Sequence, residues 1–153
     1  MKLGEALSQL KREKSRLARL ILLRKENVFV EEGKQSAFDP RKLSQEIDTK
    51  IEEIRKLKIK IQMTNLKTLI SGENITIAEA IIKINDLRSQ IAHLSTLFEK
   101  KRDSWLSRDK DEKKNIAQLD ELKVEEEIEK LEKEKVQLDN KVQITNWTTT
   151  LTN

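Results

Sequence analysis

Apolar residues return every three or four positions in four stretches of this chain, and charged residues fill the intervals. Leu3, Leu10 and Leu17 share one heptad position, Ala6 and Leu20 take the neighbouring one, and Leu7 and Ile21 widen the stripe. A second stripe runs through Leu43, Ile47, Ile54, Leu57, Ile61 and Thr64. The third holds Ile77, Ala80, Ile84, Leu87, Ile91, Leu94 and Phe98, and the fourth Val124, Ile128, Leu131, Leu138 and Val142. Spacings of three and four put such residues on one side of an α-helix. The pattern predicts four long helices near 3–26, 40–65, 77–103 and 121–146. Charged residues interrupt the seams at Glu13, Lys50 and Lys135.

The helix starts carry their own chemistry. Asp39 precedes Pro40, an N-cap followed by the residue whose missing N–H costs nothing at the first helical position. Thr76 and Glu79 form a capping box, and Asp120 stands where Asp39 does in the second half. Asn65 is expected to close the second helix in a left-handed conformation. Between helices, Val28-Phe29-Val30 reads as extended, with Asn115-Ile116-Ala117 as its counterpart. Thr68-Leu69-Ile70, the turn Ser71-Gly72-Glu73-Asn74 and Ile75 read as a tiny hairpin. The charged stretch from Asp103 to Lys114 reads as a loop anchored by Trp105 and Leu106.

These features occur twice. An offset of 74 aligns Leu3-Gly4-Glu5-Ala6-Leu7 with Ile77-Ala78-Glu79-Ala80-Ile81, and Leu10 with Ile84. An offset of 81 aligns Lys60-Ile61-Gln62-Met63-Thr64-Asn65 with Lys141-Val142-Gln143-Ile144-Thr145-Asn146. The chain is therefore one helical hairpin written twice, residues 1–72 and 73–153, within a single domain. The expected fold is mainly α: a duplicated long hairpin forming an antiparallel four-helix bundle or coiled coil, with short extended segments near the loops and the C-terminus.

Composition narrows function more than it identifies it. Of 153 residues, 38% are charged and 3% aromatic, with three Gly and one Pro, as expected of long helices with charged faces. The net charge of +4 is spread along the chain, which reads as a solvated surface and not a nucleic-acid stripe. There is no Cys, hence no disulfide, thiolate metal site or Cys nucleophile. The amphipathic start lacks an apolar signal region, and the longest apolar run, Leu20 to Leu23, is far short of a membrane span. A cytoplasmic protein without a membrane or nucleic-acid partner is the expectation.

The opening Met1 to Leu7, Asp39-Pro40, Thr64-Asn65 and the closing Asn146 to Thr149 together resemble the septicolysin-like proteins. These are mostly uncharacterised bacterial helical proteins, and the likeness runs over the whole chain by order and spacing. It departs at Ser107-Arg108-Asp109-Lys110, where members carry a different sequence. The resemblance implies a helical fold and, by the family label alone, a lysin.

Two classes of function follow. A lone His93 without Cys offers no nucleophile–base pair, and three Gly make no phosphate loop, so no catalytic constellation or organic cofactor is expected. Glu5 and Glu79 are repeat-mates that could hold a divalent metal between repeats or subunits, with His93 on the same helical line as Glu79. Against that, Glu79 completes a capping box and Glu5 suits a helix N-terminus. The other class is a self-assembling helical scaffold or interaction protein. Long helices with a narrow apolar stripe call for a partner, and the tail Trp147-Thr148-Thr149 is rich in β-formers that need an edge to pair with. That edge would be Thr68 to Ile70, Val28 to Val30, or a neighbouring subunit in a homo-oligomer: a dimer, or a ring built from dimers.

Overall fold

A computed structural model describes residues 1–99 and 115–152. Among the described residues the main elements are four helices: α1 (Leu3–Glu26), α2 (Pro40–Lys67), α3 (Ile77–Ser95) and α4 (Glu121–Thr148). The predicted stripes become the inward faces, except that Leu7 and Ile21, assigned to the first stripe, stay exposed. Helix α1 packs along α2 and α3 along α4, and the two hairpins meet through α1 against α4 and α2 against α3. No described helix is long and apolar enough to cross a membrane.

The main core sits where the hairpins meet. Leu3, Ala6, Leu10, Leu57, Ile61 and Ile70 come from the first half, and Ile77, Ala80, Ile84, Leu138, Val142 and Leu151 from the second. Each of the first six is the repeat-mate of one of the second six, and Ile75 joins them. A buried Leu or Ile contributes roughly 1.5–3 kcal/mol, so this shared layer dominates the stability. Beyond it each hairpin is two helices thick, closed by Leu43, Ile47 and Ile54 in one and by Leu87 and Val124 in the other.

The helix starts follow the predicted caps. Asp39 Oδ1 accepts from Arg41 N at 2.9 Å, and Asp120 Oδ1 from Leu122 N at 3.0 Å. Thr76 and Glu79 exchange hydrogen bonds as a capping box. Losing such a cap typically costs about 1 kcal/mol.

Three expectations are corrected. Asn65 does not end α2, which continues to Lys67, and Asn146 lies inside α4. The positive φ values among described residues belong to Gly33 and Gly72. The helix runs on because Thr64-Asn65 and Thr145-Asn146 are buried, and both threonine hydroxyls donate to the carbonyl one turn back, Lys60 and Lys141, at 2.8 Å. Second, Val28 to Val30 and Asn115 to Ala117 make no strand. Val28, Phe29 and Val30 are exposed, and no bridge among the described residues includes them. Third, α3 stops at Ser95, followed by turns at 96–98. The predicted end of α3 near 103 and the loop with Trp105 and Leu106 fall outside the described residues.

The tail finds a different partner from those expected. Leu69 and Thr76 form an antiparallel bridge across the Ser71–Asn74 turn, as the tiny hairpin requires. Thr150, the repeat-mate of Leu69, bridges Lys2, the repeat-mate of Thr76. Leu3 N donates to Thr149 O at 2.9 Å just as Ile77 N donates to Thr68 O at 2.9 Å. Likewise Leu151 N donates to Met1 O as Ile70 N does to Ile75 O. The chain's own N-terminus is thus the missing edge, because it is the repeat-mate of the strand that follows the turn.

Candidate functional site

The shared end brings Gly4, Trp147 and the threonine-rich tail together. On one side Trp147 lies flat over Gly4: a Cβ built there would stand 2.8 Å from Trp147 Cδ2. The repeat-mates of these two residues are Ala78 and Leu66, so a small–large pair recurs with the sizes redistributed. Lys2 Nζ donates to Thr148 O at 2.8 Å, and Thr64 Oγ1 both meets Thr152 Oγ1 at 2.8 Å and accepts from Thr152 N at 3.0 Å. Trp147, Thr148 and Thr149 therefore close the chain upon itself. Asn146 Oδ1 is buried without a hydrogen-bond partner among the described residues.

Glu5 and Glu79 are each committed to a helix start. Glu5 Oε2 accepts from Lys2 N at 2.7 Å; Glu79 Oε2 accepts from Thr76 N at 2.7 Å and from the Thr76 hydroxyl at 2.8 Å. The Thr76 backbone N–H, then its hydroxyl, hold the Glu79 carboxyl below the usual carboxylate range. His93 is exposed in the last turn of α3, about 21 Å along the helix from Glu79 at about 1.5 Å per residue. Among the described residues no three His, Asp or Glu side chains gather closely enough to hold a metal ion.

The seam interruptions resolve into a pair that the stripes alone did not reveal. Lys50 Nζ lies 2.9 Å from Glu13 Oε2 between α1 and α2, and 2.6 Å from Glu53. The Lys50 ammonium holds the Glu13 carboxyl below its ordinary range, and hydrogen bonds to Glu53 and then Glu13 raise Lys50. Their repeat-mates in the second hairpin are Leu87 and Leu131. Lys135 pairs with Glu132 at 2.5 Å instead. Beside Lys50, an open groove of about 610 Å³ is lined by Arg16, Leu20, Lys42, Glu46 and Glu53 among others. Its described lining holds both basic and acidic side chains.

What the shared end leaves outside is apolar. Leu7 and Ile81, Met63 and Ile144, and Leu66 and Trp147 are three repeat-mate pairs, and all six side chains are exposed. Leu66 is 64% and Trp147 57% accessible, although both sit one turn from a dry core. The arrangement offers water an apolar surface twice over, once per half.

Comparison with other proteins adds fold and kinship. The profile of a family of unknown function (DUF6847) matches residues 9–151. A solved structure, that of a functionally unknown conserved protein from Corynebacterium diphtheriae, is similar over 99% of each chain, with 30% identity and a TM-score of 0.86. No curated protein matches the chain.

Proposed function

The chain belongs to that family of unknown function, and we propose that it is a cytoplasmic, self-assembling helical scaffold or interaction protein that works as a homo-oligomer. One observation carries this reading: the three exposed repeat-mate pairs Leu7/Ile81, Met63/Ile144 and Leu66/Trp147 around the shared end. Scattered exposed apolar residues are ordinary, but clusters that recur at equivalent places mark contact surfaces. Presenting one kind of surface twice lets one copy engage two neighbours, which closes into a dimer or ring. The tail is satisfied within the chain, so association through side-chain faces replaces strand exchange as the route.

The test is solution mass. Light scattering of the full chain at about 1–100 μM, the range where modest interfaces populate, should give a multiple of the 17.9 kDa monomer. The variant Met63→Ser/Leu66→Ser/Ile144→Ser should shift the mass toward the monomer while keeping its helical circular dichroism. A full-length protein that stays monomeric throughout overturns the reading.

A further inference from the structure

The charge is not shared evenly between two arms that otherwise repeat each other. Residues 1–72 hold 17 basic and 10 acidic side chains, and residues 73–153 hold 14 and 17, so the halves carry +7 and −3. The overall +4 conceals this split. The excess is also ordered in space. Arg12, Arg16 and Arg19 are exposed on α1 at spacings of four and three, one side of the helix. Glu125, Glu129 and Glu132 repeat the same spacings on α4, the first two exposed and the third half-buried. One step beyond Arg19 stands Leu23, and one step beyond the glutamates, at either end, stand the exposed Leu122 and Val136.

We infer that the Arg12-Arg16-Arg19 face of one copy docks on the Glu125-Glu129-Glu132 face of a second copy. This rests on the self-assembly reading and adds to the apolar pairs at the shared end a second contact, on the arms. Within one chain the two faces lie on different arms, past the shared core, and no ion pair among the described residues joins them. Like charges at i, i+4 destabilise a helix. Glu13 beside Arg12 and Arg16, and Lys135 beside Glu132, offset part of this within the chain, and an opposite face offsets more. The spacings coincide when the two helices run parallel, bringing Leu23 against Val136. A nucleic acid fits less well. The Arg16 side of α1 borders a groove holding Glu46 and Glu53, the stripe has no aromatic residue, and the second arm would repel phosphate. Surface ion pairs are individually weak, so the contact fixes partner and orientation and is sensitive to salt.

Sedimentation of the full chain tests this. Self-association should weaken between about 0.05 and 0.5 M salt, as screening shortens the reach of exposed charges. Arg12→Glu/Arg16→Glu/Arg19→Glu should weaken it roughly tenfold or more, and Glu125→Lys/Glu129→Lys/Glu132→Lys likewise. A one-to-one mixture of the two variants should recover association, since each supplies the face the other needs. The salt titration and the mixture keep the test decisive if one variant folds poorly by circular dichroism. Assembly that neither reversal alters overturns this docking and leaves the scaffold reading standing. A monomer at every salt concentration overturns both. A monomer that instead binds a 20-base-pair DNA duplex through the three arginines overturns the docking in favour of a polyanion.

Discussion

Gly4 is the position where one methyl group should do the most to this fold. A Cβ there stands 2.8, 2.9 and 3.0 Å from Trp147 Cδ2, Cε3 and Cε2. Carbon atoms in good contact sit about 3.5–4.0 Å apart, so the indole would have to withdraw by roughly 0.7 Å. Overpacking of this kind costs about 1–3 kcal/mol. The helix gains at most about 1 kcal/mol from Ala over Gly. Gly4→Ala should therefore destabilise by about 1–2 kcal/mol, lowering Tm by about 2–6 °C in a chain of this size. Trp147 is 57% exposed. It thus buries on the order of 100 Å², worth about 2.5 kcal/mol, and a leucine would keep about half of that. Trp147→Leu alone then loses about 1 kcal/mol. The double variant carries the residue types of the repeat-mate positions, Ala78 and Leu66, and should be no less stable than Trp147→Leu, a coupling of about 1 kcal/mol or more. Thermal and urea melts at 222 nm, run at one protein concentration, measure the cycle. Additivity of the two substitutions, or a Gly4→Ala protein that melts higher, would refute the packing argument.

Two further outcomes follow from the ion pairs. Glu13→Leu/Lys50→Leu should melt at or above the parent temperature, because Leu87 and Leu131 already fill the same layer in the other hairpin, whereas Lys50→Leu alone should melt lower. Stability should hold through neutral pH and fall on acidification. Glu13, Glu73 and Glu79 have folded values depressed by Lys50, by Lys141 and by the Thr76 N–H respectively. Their contribution is therefore present above the ordinary carboxylate range and is lost as pH drops through the lower folded values. A Tm that does not move between neutral and strongly acidic pH would contradict this.

The parts of the structure legible in the sequence are those set by local period and by repetition. Helix existence, the Asp39, Thr76 and Asp120 caps and the Leu69–Thr76 bridge needed only residues near one another in the chain. Asn65 misled because its propensity for a left-handed turn competes with burial beside Thr64, and tertiary contact won. The tail misled for a subtler reason. Its β-forming residues signalled the need for an edge, but identifying that edge meant treating Met1 as though it followed a turn. The offsets show that Glu13 and Lys50 stand where the other half has Leu87 and Leu131, but that the two face each other depends on how α1 packs along α2. The candidate docking faces were hidden by counting charge over the whole chain instead of over each repeat.

The division of labour along each hairpin explains how such different faces coexist with one backbone plan. At the shared end all four helices converge, and the positions are filled by repeat-mates that agree in character: Leu3 with Ile77, Ala6 with Ala80, Ile61 with Val142. A polar side chain there would be desolvated on every side, so disagreement is costly. Farther out, each helix has one neighbour and an open flank. Glu13 and Lys50 can stand where Leu87 and Leu131 do, because Lys50 reaches both Glu13 and the exposed Glu53. Farther still onto the surface, Arg12 stands where the other half has Asp86, and Arg19 where it has His93. Tolerance grows with distance from the common core, and the charge contrast lies where folding constrains it least. Reversing charges on the arms should therefore alter association without unfolding the chain, whereas placing a charge at any core repeat-mate should unfold it.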